Sequence, residues 1–219
     1  MVSPRDVTPN RRGMKSRALV LDAAERVMAE HGFDAATVAR VVEEAGIPMS
    51  SVYHYFGSKD GILLAVMERG AERFFDDLPP WERRVGRAAD QLALVISSAV
   101  GALERHPNFL RLLIVLATQP PAGDDLEIPD VIRRIRRRAL GLLRTQIAMA
   151  FGDDPETPAT DRLARFALAA FDGAFVATQI DPSVTLGSLL EPLAPALVCT
   201  RRALPEDPPP TRRRAPSEA

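Results

Sequence analysis

One cysteine, Cys199, is all the sulfhydryl chemistry the chain has, so no internal disulfide can form. That scarcity fits a reducing compartment. A net charge is almost missing as well: 28 basic against 29 acidic residues leave −1 overall. The chain as a whole therefore offers no basic field, and any contact with nucleic acid must come from a local patch. No apolar core of a signal peptide appears in the polar start "MVSPRDVTPNRRGMKSR". The uncharged run over residues 91–103 is too short to span a bilayer. His31, His54 and His106 lie far apart and Cys199 has no close partner, so no metal site is expected. A glycine-rich phosphate loop and a nucleophile elbow are also lacking. These absences point to a cytoplasmic protein with no membrane partner, no cofactor and no enzymatic activity.

Aromatic residues are few too, at 5% of the chain, yet both of its tyrosines fall at Tyr53 and Tyr55 with His54 between them. The rest of the pattern is helical. Sustained apolar/polar alternation is absent, and no Asn-Gly or Asp-Gly pair joins two alternating runs. Val20, Leu21, Ala23, Ala24, Val27 and Met28 form one stripe, with Gly32 placed to stop the helix. Thr37 starts a short helix that ends at Gly46, and Pro48 opens another through Phe56. Ser58 caps a fourth, with Ile62, Leu63, Val66 and Met67 on its buried side. Longer helices are predicted over about 81–104, from Pro107, over 130–151, 159–179 and 184–203, with loops at 119–129 and 152–158. Pro192 and Pro195 predict a kink or an irregular start in the last. The fold class is all-α: an N-terminal three-helix helix-turn-helix domain plus a larger C-terminal helical domain. The division is a flexible arm at 1–14, the helix-turn-helix domain at 15–60, the larger domain at 61–204, and a disordered tail at 205–219 rich in proline and charge.

Two short helices joined at a glycine match the arrangement whose second helix enters the DNA major groove. Val41, Ala45, Ile47, Val52 and Phe56 are spaced to seal a small core. Met49, Ser50, Ser51, Tyr53, His54 and Tyr55 are then left facing outward, where hydroxyls and rings suit phosphate oxygens and base edges. Arg5, Arg11, Arg12, Lys15 and Arg17 form either a basic arm near the minor groove or a solvated terminus. The pairs Asp76-Asp77, Asp124-Asp125 and Asp153-Asp154 read as solvated turn residues. The run "RRIRRRALGLLR" (133–144) reads as a solvated helix face with Ile132, Ile135, Ala139 and Leu142 or Leu143 inward.

Gly32-Phe33, Thr37-Val38 and "EEAGIPMSSVYHYFGSKDGILLAV" (43–66), preceded by "LDAAERVMAEHGF", resemble the DNA-binding domain of the TetR/AcrR family of transcriptional repressors. The resemblance covers about residues 16–66. It implies a homodimer on a palindromic double-stranded DNA operator, with a small molecule in the C-terminal domain altering the spacing of the two readers. Residue by residue, it implies phosphate contacts at Thr37 and Lys59 and a DNA grip by Tyr53, His54 and Tyr55. Ser50 and Ser51 match positions that approach the groove floor. Met49 stands where many members carry a polar or basic reader, and Ala39 where arginine is common, leaving Arg40 as a phosphate contact.

In the C-terminal part, Phe109, Leu113 and Leu116 with Phe166, Phe171 and Phe175 read either as ordinary core or as the lining of a site for a mostly apolar effector, with Gln179 as its polar group. The last two helices are rich in small residues and leucines and fit a homodimer interface. The expectation is a ligand-responsive dimeric regulator, acting as a repressor. The alternative is a helical small-molecule-binding protein that has lost operator binding, which Met49 and Ala39 keep open.

Overall fold

The computed structural model describes residues 11–33, 35–80, 86–118 and 127–204, and among these there is no strand. Among the described residues ten helices run in order: α1 (Arg11–His31), α2 (Val38–Ala45), α3 (Met49–Phe56), α4 (Lys59–Asp76), α5 (Ala88–Arg105), α6 (Pro107–Thr118), α7 (Glu127–Phe151), α8 (Pro158–Ile180), α9 (Leu186–Leu190) and α10 (Leu193–Ala203). They form two compact units. Unit 1 takes Met1–Pro79 with Gly101–Arg137, and unit 2 takes Pro80–Val100 with Arg138–Ala219. The division falls inside α5 and α7, so it is not the consecutive one expected from the sequence.

In unit 1 the stripe of α1 is buried as its periodicity predicts: Val20, Leu21, Ala24 and Met28 are at most 2% exposed. Ile62, Leu63, Val66 and Met67 of α4 meet the same core, each at 1% or less. Charge then fixes α1 on α4. Arg69 donates from Nη1 to Asp22 at 2.7 Å and from Nη2 to Glu25 at 3.0 Å, with its side chain 14% exposed. Such a forked guanidinium between two carboxylates sets the helix register, because a shifted register would leave the charges unpaired away from water. Helix α6 packs on both α1 and α4. A Cβ on Gly70 would stand 2.5 Å from the Phe109 ring, so the absence of a side chain at Gly70 admits that ring. At the end of α4, Asp77 accepts from Arg105 Nε at 2.9 Å and lies 2.9 Å from His106 Nε2. Those bonds, that from Arg105 foremost, hold the Asp77 carboxyl below its ordinary range. Asp77 is thus a tie and not the solvated turn residue expected.

Unit 2 centres on Leu163, Ala164, Leu190 and Leu197, none more than 2% exposed. Helix α8 starts where Thr157 accepts from the Thr160 backbone, with Pro158 in the first turn. It is long and apolar enough to cross a membrane by length and composition alone. It also carries Asp161, Arg162, Arg165 and Asp172 and packs on α9 and α10, which suits a core helix. Asp153 is paired with Arg201 at 2.6 Å, a second carboxylate expected as solvated that is a tie. Asp161 accepts from Arg165 at 2.7 Å and from Arg144 at 2.9 Å.

Several boundaries move. The first helix begins at Arg11, inside the segment expected as an arm, while Arg5 and residues 205–219 lie outside the described residues. Gly86 and Arg87 precede α5, and residues 81–85 of the expected helix are outside the described set. Helix α7 starts at Glu127 inside the expected loop, because Pro129 sits in the first turn and needs no amide partner there. Where a kink or an irregular start is predicted, the helix breaks fully: α9 stops at Leu190 and α10 starts after Pro192, with Pro195 accommodated in its first turn.

The Asp161 carboxyl is held below its ordinary value of 3.8, by the Arg165 bond first and the Arg144 bond after it. Its stabilising contribution is present above that ordinary value and is lost as pH falls through the lower value of the folded chain. Asp161→Asn should therefore lower the melting temperature at neutral pH and show a shallower decline than the parent below about pH 4, where the unfolded carboxylate titrates. Thermal melts across pH check both halves.

Candidate nucleic-acid interface

Helix α3 has eight residues, too few to persist alone in water. It is held by α1, α2 and α4, all of which pack on it. Of its side chains only Val52 is fully buried, at 0% exposure. The angle of α3 to α2 is set at Gly46, whose φ of 63° is the left-handed conformation that closes the helix by donating to the Val42 carbonyl at 2.9 Å. A side chain there would be strained.

With Val52 inward, the opposite side of α3 faces out. Tyr53 is 50% exposed and Met49 39%, while Ser50 and His54 are exposed too. Two expected outward residues depart from this. Ser51 and Tyr55 are half-buried, and the Tyr55 ring stands edge-on to Phe56 at 6.2 Å with His54 at 5.6 Å. The helical turn carries them toward the packed side, so Tyr55 is shared between packing and surface. Of the five residues expected to seal the core, Val41 and Val52 are fully buried and Ala45, Ile47 and Phe56 half-buried.

Thr37 caps α2, its hydroxyl accepting from the Arg40 amide at 3.2 Å. That leaves its O–H proton to donate outward. Arg40 is exposed and reaches the Ala35 carbonyl at 3.5 Å. Lys59 is the first residue of α4, with its Nζ 4.2 Å from the centroid of Phe33. Arg17, expected in a basic arm, is on α1 with its guanidinium 5.3 Å above Phe56. The role of these two rings was not legible beforehand, since nothing in the sequence pairs Phe33 with Lys59, or Phe56 with Arg17. Thr37, Arg40, Lys59 and the α3 residues all belong to helices of one packed unit. What this unit can do chemically is donate hydrogen bonds and offer cations to an anionic partner.

The candidate effector residues are not drawn together so neatly. Phe109, Leu113 and Leu116 lie on α6 in unit 1, where Phe109 fills the notch at Gly70, Leu113 is buried and Leu116 is half-buried. Phe171 and Phe175 are buried on α8 in unit 2. Gln179, the expected polar group, is exposed near the end of α8, its Nε2 3.4 Å from Thr178 Oγ1. Two grooves in unit 2 have other linings. One of about 260 Å³ lies between Ile96, Ser97 and Val100 of α5 and Leu190, Glu191 and Ala194. The other, about 380 Å³, lies among Phe166, Ala170, Gly173, Leu189, Pro192 and Ala196. Phe166, an expected cavity residue, is 45% exposed there.

Residues 20–66 match the family model for bacterial regulatory proteins of the tetR family. Residues 20–66 thus carry the N-terminal domain of that family. It is 27% identical over 124 residues to the fatty acid metabolism regulator protein of Bacillus subtilis, across 57% of this chain and 62% of that protein. The match thus spans less than two thirds of that relative. To the HTH-type transcriptional regulator BetI of Brucella canis it is 24% identical over 160 residues, across 73% of this chain and 78% of the relative. The fold is shared with the transcriptional regulator FadR from Bacillus subtilis, solved in complex with stearoyl-CoA. The TM-score is 0.64 at 24% identity, covering 84% of this chain and 98% of that one.

Because Val52 is the one fully buried residue of α3, Val52→Ala should destabilise the TetR-family domain by about 2 kcal/mol. Amide hydrogen exchange should show the loss first in α3, with unit 2 unchanged.

Proposed function

We propose that this TetR-family protein is a repressor that binds a palindromic operator as a homodimer and lets go when a mostly apolar small molecule binds its C-terminal region. The observation that carries the DNA part is α3 itself. It buries Val52 and turns Met49, Ser50, Tyr53 and His54 to solvent, with Thr37, Arg40 and Lys59 on the adjoining helices. Thr37, Lys59 and the tyrosine hydroxyl position the domain through phosphate oxygens. Met49, with a thioether and no strong donor, suits a thymine methyl better than a hydrogen-bonded base edge. Ser51 and Tyr55, half-buried, contribute their outer edges.

The dimer forms through α8, α9 and α10. Leu189, Phe166, Val176 and Ile180 are exposed large apolar side chains there, and Ala170, Gly173 and Ala177 leave room for close approach. Reading a palindrome requires such a pair to present two α3 helices about 34 Å apart, one turn of DNA. Phe171 and Phe175 of α8 supply apolar surface to the effector, and Gln179 a polar group at its end. Likeness to a fatty acid metabolism regulator and to a FadR bound to stearoyl-CoA supports a long acyl chain as the apolar part. The protein acts in the cytoplasm, where both DNA and such thioesters are found.

The test is a mobility shift with duplexes from the DNA upstream of the protein's own gene, repeated with long-chain acyl-CoA. A retarded band that acyl-CoA dissolves, while free CoA does not, is expected. Ligand binding without any DNA shift would instead favour a small-molecule-binding protein that has lost its operator. Tyr53→Phe combined with Lys59→Ala should weaken binding to all duplexes alike and reduce the salt slope by about 1 to 2. Leu189→Glu, at a position already 38% exposed, should leave the melting temperature of the protomer nearly unchanged. Sedimentation should then find it a monomer where the parent is a dimer.

A further inference from the structure

The arginines along the packed side of α1 and α4 are neutralised where they stand. Arg26 pairs with Glu44 at 2.8 Å, while Arg69 and Arg73 meet Asp22 and Glu25. Arg17 is different. It is exposed on α1, and among the described residues no carboxylate pairs with it. Its guanidinium stands instead 5.3 Å from the centroid of Phe56, within the range of a cation–π attraction. Such a contact orients a planar guanidinium without neutralising it. The Phe56 ring is itself fixed, half-buried and edge-on to Tyr55 at 6.2 Å. Phe56 is the last residue of α3, and only Gly57 and Ser58 separate it from the start of α4. A cation from α1 is thereby brought to the corner where α3 ends and α4 begins.

We propose that Arg17 contacts a backbone phosphate of the operator and that Phe56 is the positioning residue which holds its guanidinium ready. The inference rests on the DNA-binding reading above, which puts phosphate contacts on both helices that meet at this corner. Its physical basis is the difference between a ring and a carboxylate as the neighbour of an arginine. A carboxylate, as at Arg69, orders the side chain but cancels its charge and competes with the phosphate. A ring face orders it and leaves the N–H donors to the anion, whose oxygens the planar fork can grip in pairs. An arginine ordered beforehand also gives up less rotamer freedom on binding. Arg17 sits in a formed helix that packs on α3, so it acts from a fixed place and not as part of a loose arm. A cation there also faces the negative end of the α3 dipole, so stability must be read beside affinity.

The experiment measures salt-dependent DNA affinity and melting temperature together, with the full chain and the duplex that the parent enriches from a random pool. Arg17→Gln removes the charge from an exposed helical position. It should weaken binding to enriched and random duplexes alike and reduce the salt slope by about 1. Phe56→Leu should cost the parent about two- to fivefold more affinity than it costs the Arg17→Gln variant, the range of an exposed cation–π contact. Phe56→Tyr, which keeps the ring, should bind as the parent does. Phe56→Met serves the same cycle if Phe56→Leu does not fold. An unchanged salt slope in Arg17→Gln would overturn the proposal even if the melting temperature fell, because a cation that only steadies α3 releases no counterion. An equal loss from removing the ring in both backgrounds would overturn it too. A parent chain that enriches no duplex at all removes the DNA-binding reading itself, and the proposal with it.

Discussion

Everything the N-terminal domain can offer a partner depends on the burial of Val52. Helix α3 is two turns long and cannot hold its own conformation in water. Its only fully buried side chain must therefore supply the fixed point around which the helix is oriented. With Val52 against the core of α1, α2 and α4, the angular positions of the other residues follow at about 100° per residue. Tyr53 and Met49 come out, while Ser51 and Tyr55 come part of the way in. One isopropyl anchor thus settles which hydroxyls and rings face solvent.

The core beneath that anchor is kept in register by charge. Arg69 reaches two carboxylates on α1 from α4, and with 14% exposure of its side chain it is shielded from the screening that makes most surface pairs weak. Unit 2 uses the same kind of tie in Arg201 with Asp153 and in Arg144 and Arg165 with Asp161. Apart from Arg165, one helical turn from Asp161, none of these partners was legible beforehand. An Asp-Asp pair near a helix end looks the same in a sequence whether it faces water or an arginine 28 or 48 positions away.

Helix existence, by contrast, was legible, because apolar periodicity, caps and glycine stops are local signals. Thr37, Gly46, Ser58 and Gly32 act in the structure as their chemistry predicts. The failures are local signals with two meanings. Pro129 reads in the sequence as the end of a loop and sits in the first turn of α7, while Pro192 divides the last predicted helix in two. Proline fits a first turn and breaks an interior, so the residue type cannot decide until the register is known. The candidate effector residues stand out in the sequence by apolar character, which core and cavity lining share. Phe109 shows the ambiguity, since its ring fills the space left by Gly70.

By itself, then, the sequence determined an all-α chain, the two short helices around Gly46 and the grouping of Tyr53, His54 and Tyr55 on the second of them. These depend on interactions between residues a few positions apart. Only the tertiary structure decided which of those side chains face out, that α6 and part of α7 belong with the N-terminal helices, and that Lys59 stands over Phe33 and Arg17 over Phe56. These depend on contacts between residues tens of positions apart, and such contacts leave no mark on spacing or composition.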